Sequence, residues 1–349
     1  MTSSPIDFSD LDPKREEYAR LAVERVLQTA INVRASDVHL NQTANGTQVR
    51  LRVFGQLREA GVAPSGASTN LNSRIKALAG LTTYRSEVPQ EGRLVLDDAG
   101  SDRRLEARVS TIPTLHGERI AIRLIPLSAE AWRIDDLGLP SKTAEDVHQC
   151  LRQASGVLLI AGSAGAGKTS TAYAALREIL SAEQLRSIVS LEDPIESELE
   201  GVAQSQIQPD KGYGWTEGLR ALLRQDPEVM LVGEIRDAET AQVVFQAAMT
   251  GQLVITTMHA RSSADALRRL LDMDVPLPHL TAGLSLALCQ KLQPTPGRSG
   301  TPSMQLLVEQ LPPITGPLKK ALLEDADTEA IQACACELGM QTLKDQATD

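Results

Sequence analysis

Aromatic side chains are scarce: Phe, Trp and Tyr together make up 3% of the 349 residues. The interior must therefore be packed with aliphatic groups, and there is little material for an aromatic platform on which nucleic-acid bases could stack. Surplus positive charge is missing as well. Against 45 Asp and Glu stand 35 Lys and Arg, a formal net charge of −10. Such a field repels phosphate and gives no support for bulk nucleic-acid binding outside a local basic patch. No apolar run approaches membrane-spanning length, and the polar start MTSSPIDFSDLDPKREEYAR has no basic stretch leading into an apolar one. A soluble, cytoplasmic chain is expected. Cysteine is sparse too: Cys150, Cys289, Cys334 and Cys336 show neither a Cys-x-x-Cys zinc spacing nor the density of a disulfide scaffold, and read as reduced thiols.

What is present is a chain long enough for two ordinary domains and, at 42% hydrophobic, globular. The first third mixes periods. A helical pattern runs from about Lys14 to Ile31, followed by strand-like SDVHL and QVRLRVFG, a flexible insert GVAPSGASTN and a helix at LNSRIKALAG. Strands are then expected at GRLVLDD, RLEARVSTI and ERIAIRLI, making a small N-terminal α/β domain over 1–127. PLSAEAWRIDDLGLP, from Pro126 to Pro140, has no clear period and predicts a linker over 128–140. From Lys142 onward helix, strand, loop and helix alternate, which predicts a parallel sheet with helices on both faces over 141–293. Its strands would be GVLLIAG, SIVSLED, VMLVGE and LVITTMH. Beyond Leu292 a loop, QPTPGRSGTPS, is expected to lead into a mostly helical tail over 294–349, and no repeat or low-complexity tract interrupts the chain.

GVLLIAGSAGAGKTSTAYAAL places Gly162-x-x-x-x-Gly167-Lys168-Thr169 after an apolar strand and at the start of an alanine-rich helix. Glycines let successive N–H groups turn inward around phosphates, the helix start adds its positive end, Lys168 reaches the β/γ-phosphates and Thr169 offers a hydroxyl to Mg²⁺. EVMLVGEIRDAET raises a question of its own, because an apolar run suited to a buried strand ends in charge. A buried carboxylate needs a cation or hydrogen-bond donors. Glu234 fits the acidic residue that meets Mg²⁺ on nucleotide phosphates, directly or through water. A cap on the following helix, or a pair with Arg236, is the other reading of that carboxylate.

With these residues in place, the sequence resembles a known family, the hexameric secretion ATPases that drive type II secretion and type IV pilus assembly and retraction. Four blocks carry the likeness: the phosphate loop, SLEDPIE (Ser190 to Glu196), LRALLRQDPEVMLVGEIRD (Leu219 to Asp237) and TGQLVITTMHA (Thr250 to Ala260). They are similar to the family's Walker A, Asp box, Walker B and His box, in that order. SDVHL, VPQEGRL, RVSTIPTLHGERIAIRL and LGLP match in the first half, with a weaker match at ELGMQTL. The resemblance implies a small N-terminal α/β, PAS-like domain followed by a RecA-like P-loop ATPase domain with a parallel sheet and a helical C-terminal tail. It implies ATP and Mg²⁺ as cofactors, nucleotide on Gly162, Ser163, Ala164, Gly165, Ala166, Gly167, Lys168, Thr169 and Ser170, and metal near Thr169, Glu234 and Asp193.

Hydrolysis needs an oriented water, a group to take its proton, and positive charge on the phosphate oxygens. By position Glu196 matches the family's general base, with Glu192 and Asp193 beside it as organisers of metal or water. Three carboxylates so close together, interrupted by Pro194, suit either a water-filled metal site or a solvated acidic loop. Glu234 and His259 complete the catalytic set the resemblance implies, His259 donating to phosphate or signalling between subunits. Gln252 stands where the family commonly has a first histidine; it can donate to a γ-phosphate but carries no charge. Arg93, Arg108, Arg119 and Arg123, with Arg50 and Arg52 behind them, are candidates to reach nucleotide in trans or to be plain strand-face residues. Arg236 reads as a partner for nearby acids.

The resemblance further implies a homohexamer recruited to the inner membrane through a platform protein of a secretion or pilus machine, with no direct nucleic-acid partner. LCQKLQPTPGRSG has one cysteine where many assembly members carry a tetracysteine module, so no structural zinc is expected, nor the extra N-terminal domain of larger members. GLRALLRQDPEV, with Gln225, resembles the assembly and secretion members; the compact length resembles retraction members. A DNA-translocating or conjugation ring ATPase, and a nucleotide-holding scaffold with little turnover, are the alternatives. QIQPDKGYGWTEG offers the former only Lys211, Tyr213 and Trp215.

Overall fold

A computed structural model describes residues 6–33, 35–53, 55–64, 68–97, 104–126, 132–296 and 302–347. The chain divides into two compact units, Met1–Ser128 and Ala129–Asp349. The first holds α1 (Tyr18–Asn32), β1 (Ala35–Thr43), β2 (Gly46–Val53), β3 (Gln56–Pro64), α2 (Ser68–Leu78), β4 (Gln90–Asp97), β5 (Arg104–Thr114) and β6 (Gly117–Pro126). Its six strands form one sheet in the order β3-β2-β1-β6-β5-β4, every neighbour antiparallel. Strand alternation puts Val38, Leu40, Val49, Leu51, Ile120 and Ile122 into one aliphatic core with Val23, Val26, Leu71 and Ile75 of the helices. Lys76 lies fully buried against Glu118 at 2.8 Å, its ammonium also donating to the Arg85 carbonyl at 2.8 Å, so the charge is partnered rather than stranded.

One strand of this unit differs from expectation. QLREAGVAP forms β3, so the expected insert at GVAPSGASTN begins as the end of a strand and closes as the start of α2, with residues 65–67 outside the described residues. An edge strand exposed along most of its length has too few buried positions to write a period into the sequence.

The second unit holds α3 (Ser141–Leu151), β7 (Gly156–Ala161), α4 (Lys168–Leu180), β8 (Ile188–Glu192), β9 (Ala203–Gln206), α5 (Trp215–Leu222), β10 (Val229–Val232), α6 (Ala238–Met249), β11 (Leu253–Met258), α7 (Ser263–Asp272), α8 (Leu277–Gly283), β12 (Leu284–Pro296), β13 (Pro302–Gln310), α9 (Gly316–Leu323), α10 (Thr328–Glu337) and α11 (Leu343–Gln346). The sheet order is β13-β12-β7-β11-β10-β8-β9, parallel throughout except for the β12–β13 hairpin. Both faces are covered, which is why β7 and β10 read as unbroken apolar runs and β8 and β11 as mainly apolar ones, with Ser190, Glu192, Thr256 and Thr257 as their polar positions. Val157, Leu159, Met230, Val232 and Val254 pack towards α5–α8, while Leu158, Ile160, Val229, Leu231 and Ile255 pack towards α3 and α4.

Two expectations are corrected here. The stretch beyond Leu292 is a hairpin: β12 continues to Pro296 and β13 forms the sheet edge before the short helices α9 to α11, with 297–301 outside the described residues. The prolines that suggest a loop, Pro294, Pro296 and Pro302, lie at the hairpin's far end, where proline is tolerated. The expected linker also carries core: residues 134–137 make a 3₁₀ turn whose Ile134 is 1% exposed and packs with Trp132, Leu137 and Leu139 into the second unit, while 127–131 lie outside the described residues.

Candidate functional site

Parallel strands deliver their C-terminal ends to one edge of the sheet, and the phosphate loop, Glu192, Glu234 and His259 lie at or just past those ends. β7 is buried through Ala161, after which residues 162–167 turn into α4. Gly165 and Gly167 adopt φ of 73° and 85°, the left-handed region that a Cβ disfavours. Ser163, Ala164 and Gly165 are exposed, while Ala166 is buried. Lys168, Thr169 and Ser170 open α4, so their N–H groups have no acceptor in a preceding turn and carry the positive end of the helix dipole. Lys168 Nζ lies over the loop, donating to the carbonyls of Gly162 at 2.9 Å and Ser163 at 3.0 Å. Burial pulls that ammonium below its ordinary range, against the opposing pull of Glu234, Cys289 and Glu196.

β8 brings the first carboxylates. Glu192 is 3% exposed and accepts from Tyr173 Oη at 2.5 Å, Ser190 Oγ at 2.6 Å and Gln204 Nε2 at 3.2 Å. Those three donors fix its place at the end of β8. Its effect reaches the next acid through Tyr173, whose hydroxyl oxygen accepts from the Glu196 N–H at 3.2 Å. Glu196 Oε1 in turn accepts from Thr169 Oγ1 at 3.3 Å, so the proposed base stands next to the start of α4. Lost hydration raises the Glu196 carboxyl above its ordinary range and Glu192 adds to the rise, while Thr169 and Lys168 oppose it; Glu196 keeps solvent contact, and water tempers the shift.

β10 and β11 bring the rest. Glu234 follows β10 and lies between two basic groups, Arg236 Nε at 2.7 Å and His259 Nε2 at 3.3 Å. Arg236 reaches on to Asp193 at 3.2 Å and lies 5.9 Å from the centre of the Trp215 ring. The pairing with Arg236 that the sequence left open is therefore present, and the charged run resolves further in Asp237, which caps α6 by accepting from the Thr240 N–H at 2.8 Å. Among the described residues no group of three or more His, Cys, Asp or Glu side chains is placed to hold a metal ion unaided. The nearby set, a Thr hydroxyl with carboxylates from separate strands, fits Mg²⁺, which takes one or two carboxylates and completes its shell with water and phosphate oxygens.

Gln252 does not join this group. It precedes β11, with its carbonyl accepting from Gly156 N–H at 3.1 Å and its side chain accepting from Thr250 Oγ1 at 2.8 Å. That is the N-terminal end of β11, about 20 Å along the strand from His259 at the usual rise per residue. Gln252 therefore cannot contact nucleotide on its own chain's loop, and the expectation that it binds cofactor is corrected for that loop. The arginines lie on the first unit's sheet. Arg93 of β4 and Arg108 of β5 flank Glu106 at 3.5 and 3.9 Å, and Arg123 of β6 donates to Asp37 at 3.0 Å with Arg52 at 3.6 Å from the same carboxylate. Arg119 of β6 is exposed.

Residues 14–342 match the family described as Type II/IV secretion system protein. The chain belongs to that family. Within it, the chain is 40% identical over 270 residues to the type II secretion system protein E of Dickeya dadantii, covering 77% of this chain and 53% of that protein. It is 36% identical over 277 residues to the type IV pilus assembly ATPase PilB of Thermus thermophilus, covering 79% of this chain and 31% of that one. The chain thus spans about half the length, or less, of the curated relatives it matches. The X-ray structure of the Legionella pneumophila ATPase DotB superposes with a TM-score of 0.76 at 22% identity, over 97% of this chain and 93% of that one, which shows a shared fold.

Sequence reading of this secretion-family chain passed over Tyr173, Ser190 and Gln204. Tyr173 sits four residues after Thr169 on an alanine-rich helix, where an aromatic reads as core, and only its hydroxyl's two partners distinguish it.

Proposed function

We propose that this chain binds MgATP at the phosphate loop and hydrolyses it as a ring-forming cytoplasmic motor powering type II secretion or type IV pilus assembly. The single observation that carries the reading is the Thr169–Glu196 contact at 3.3 Å, which puts a carboxylate of raised pKa beside the helix start that would receive phosphate. The loop N–H groups and Lys168 bind the β- and γ-phosphates. Thr169, Glu234 and Asp193 would hold Mg²⁺, which would supply positive charge to the phosphate oxygens. Glu196 takes the proton of the attacking water. Glu192 positions Glu196 through Tyr173, and His259 steadies Glu234 on the open side. Arginines of the first unit, from a neighbouring copy in a homohexamer, add charge to the transferring phosphoryl group. Gln225, in RQDPE, favours assembly or secretion over retraction. Among the described residues no helix is long and apolar enough to cross a membrane, so recruitment to the inner membrane would pass through a platform protein.

The test is Mg²⁺-dependent ATP hydrolysis by the wild-type chain and by Glu196→Gln. The variant should bind ATP as the wild type does and lose kcat by about 10²- to 10⁴-fold, the usual worth of a general base. Strong stimulation of the wild type by single-stranded DNA would overturn the secretion reading in favour of a translocase.

A further inference from the structure

The phosphate loop has a floor that none of the motifs names. Strand β12 runs beside β7 and carries Gln290, 1% exposed, into the layer beneath the loop. Its side-chain amide donates from Nε2 to the Ala166 carbonyl at 2.9 Å and accepts at Oε1 from Thr171 Oγ1 at 3.1 Å. Its main-chain oxygen comes so near Gly162 that a Cβ there would lie 2.5 Å from it, and a Cβ on Gly167 would lie 3.3 Å from Nε2. One residue thus touches the loop's first glycine, its last turn and the opening of α4. The loop end is fixed by geometry, because a planar trans peptide sends C=O and N–H to opposite sides. With the Ala166 carbonyl held down on β12, the Gly167 N–H points away from β12 and towards the face where a phosphate would lie. Thr171 Oγ1 also lies 3.3 Å from the Gly167 carbonyl, which can only share the one hydroxyl proton that Gln290 Oε1 accepts, so Gln290 meets the loop directly at the Ala166 carbonyl and reaches the start of α4 through Thr171.

We infer that Gln290 is a positioning residue that preorganises the phosphate loop, so that it sets nucleotide affinity and leaves the chemical step alone. The inference rests on the loop being the nucleotide site. A side chain that shapes the loop equally for bound ATP and for the transition state contributes uniform binding, which appears in KM and not in kcat.

The experiment titrates a fluorescent ADP analogue into the full chain, wild type and Gln290→Met, alongside steady-state ATP hydrolysis and thermal melts. Gln290→Met keeps the length and volume and removes both bonds. Its dissociation constant is expected to rise about tenfold, the scale of one or two buried hydrogen bonds, with kcat at saturating ATP within about twofold of wild type. Faster hydrogen exchange in the 162–168 peptide, without a matching rise in β10 or β11, should accompany it. A folded Gln290→Met chain that binds as tightly as wild type overturns the inference, as does a fall in kcat equal to that in kcat/KM. Should Gln290→Met melt below the assay temperature, Thr171→Val deletes the hydroxyl that Gln290 accepts from and should weaken binding about threefold; unchanged binding there also overturns it. A wild-type chain that fails to bind the analogue at all removes the nucleotide reading itself, an outcome distinct from equal binding by wild type and variant.

Discussion

Tyr173 carries one hydroxyl into a helix face of alanines, and that hydroxyl joins two acids that the sequence treats as separate. It donates to Glu192 and accepts from the backbone of Glu196. Tyr173→Phe should therefore leave ADP affinity unchanged while lowering kcat about tenfold, because the base loses its placement and the loop does not. About tenfold slower turnover with equal binding in a titration would support this; a parallel loss of binding would point to general unfolding of α4. The raised Glu196 carboxyl gives a pH signature. A protonated base cannot accept the water proton, so activity falls as pH drops through the folded pKa, and the acid limb of kcat/KM, which reports the nucleotide-free protein, should lie above the ordinary glutamate value of about 4.3. Glu234 and Lys168 could be singled out in the sequence because spacing and flanks tie each to a strand end or a helix start, whereas Glu196 was singled out only through the family resemblance, since its acidic cluster alone fits a solvated loop equally well. Tyr173 and Gln290 were not, because a polar atom in an apolar stretch reveals its partner only when distant segments meet.

His148 shows the same limit for elements. It projects from α3 with Nδ1 2.5 Å from Glu178 of α4 and Nε2 3.0 Å from Asp135 of the 3₁₀ turn at 134–137, pinning that turn onto the helix that opens with Lys168. The Glu178 bond, aided by Asp135 against partial burial, holds the imidazolium above its ordinary range. A histidine whose folded pKa is raised stabilises the fold fully below its unfolded value, about 6.5, and loses that contribution as pH rises through the folded value. The melting temperature should accordingly fall as pH rises above about 6.5 and through the raised folded value, and His148→Gln should flatten that dependence. An equal slope in the variant would assign the effect elsewhere. The buried strands β7, β8, β10 and β11 were legible as apolar runs, whereas β13 read as helix. Its edge is completed by a residue 38 positions away: Gln346 accepts from the Val308 N–H at 3.0 Å and donates to the Val308 carbonyl at 2.7 Å. No local window contains that pairing.

At the scale of the whole molecule, the chain's two compact units divide the proposed chemistry between them. Phosphate loop, carboxylates and His259 belong to Ala129–Asp349, while Arg93, Arg108, Arg119 and Arg123 belong to Met1–Ser128. Motifs made each unit legible and left open which copy's arginine serves which loop, because sequence order does not distinguish a neighbour in the same chain from one in the next. If arginine acts in trans, hydrolysis per chain should rise with protein concentration as rings form, followed by light scattering in the same samples. A mixing experiment is sharper. Arg119→Ala and Glu196→Gln each remove one half of every composite site, so both should be nearly inactive alone. Mixed in equal amounts and allowed to reassemble, they should restore about a quarter of the sites, since a quarter of neighbouring pairs join an intact base to an intact arginine. If Arg119 serves its own chain's loop, every site in the mixture lacks one group and no activity returns. Recovery well above that of either variant would place the active unit at the junction of two copies, and with it the coupling of hydrolysis to motion.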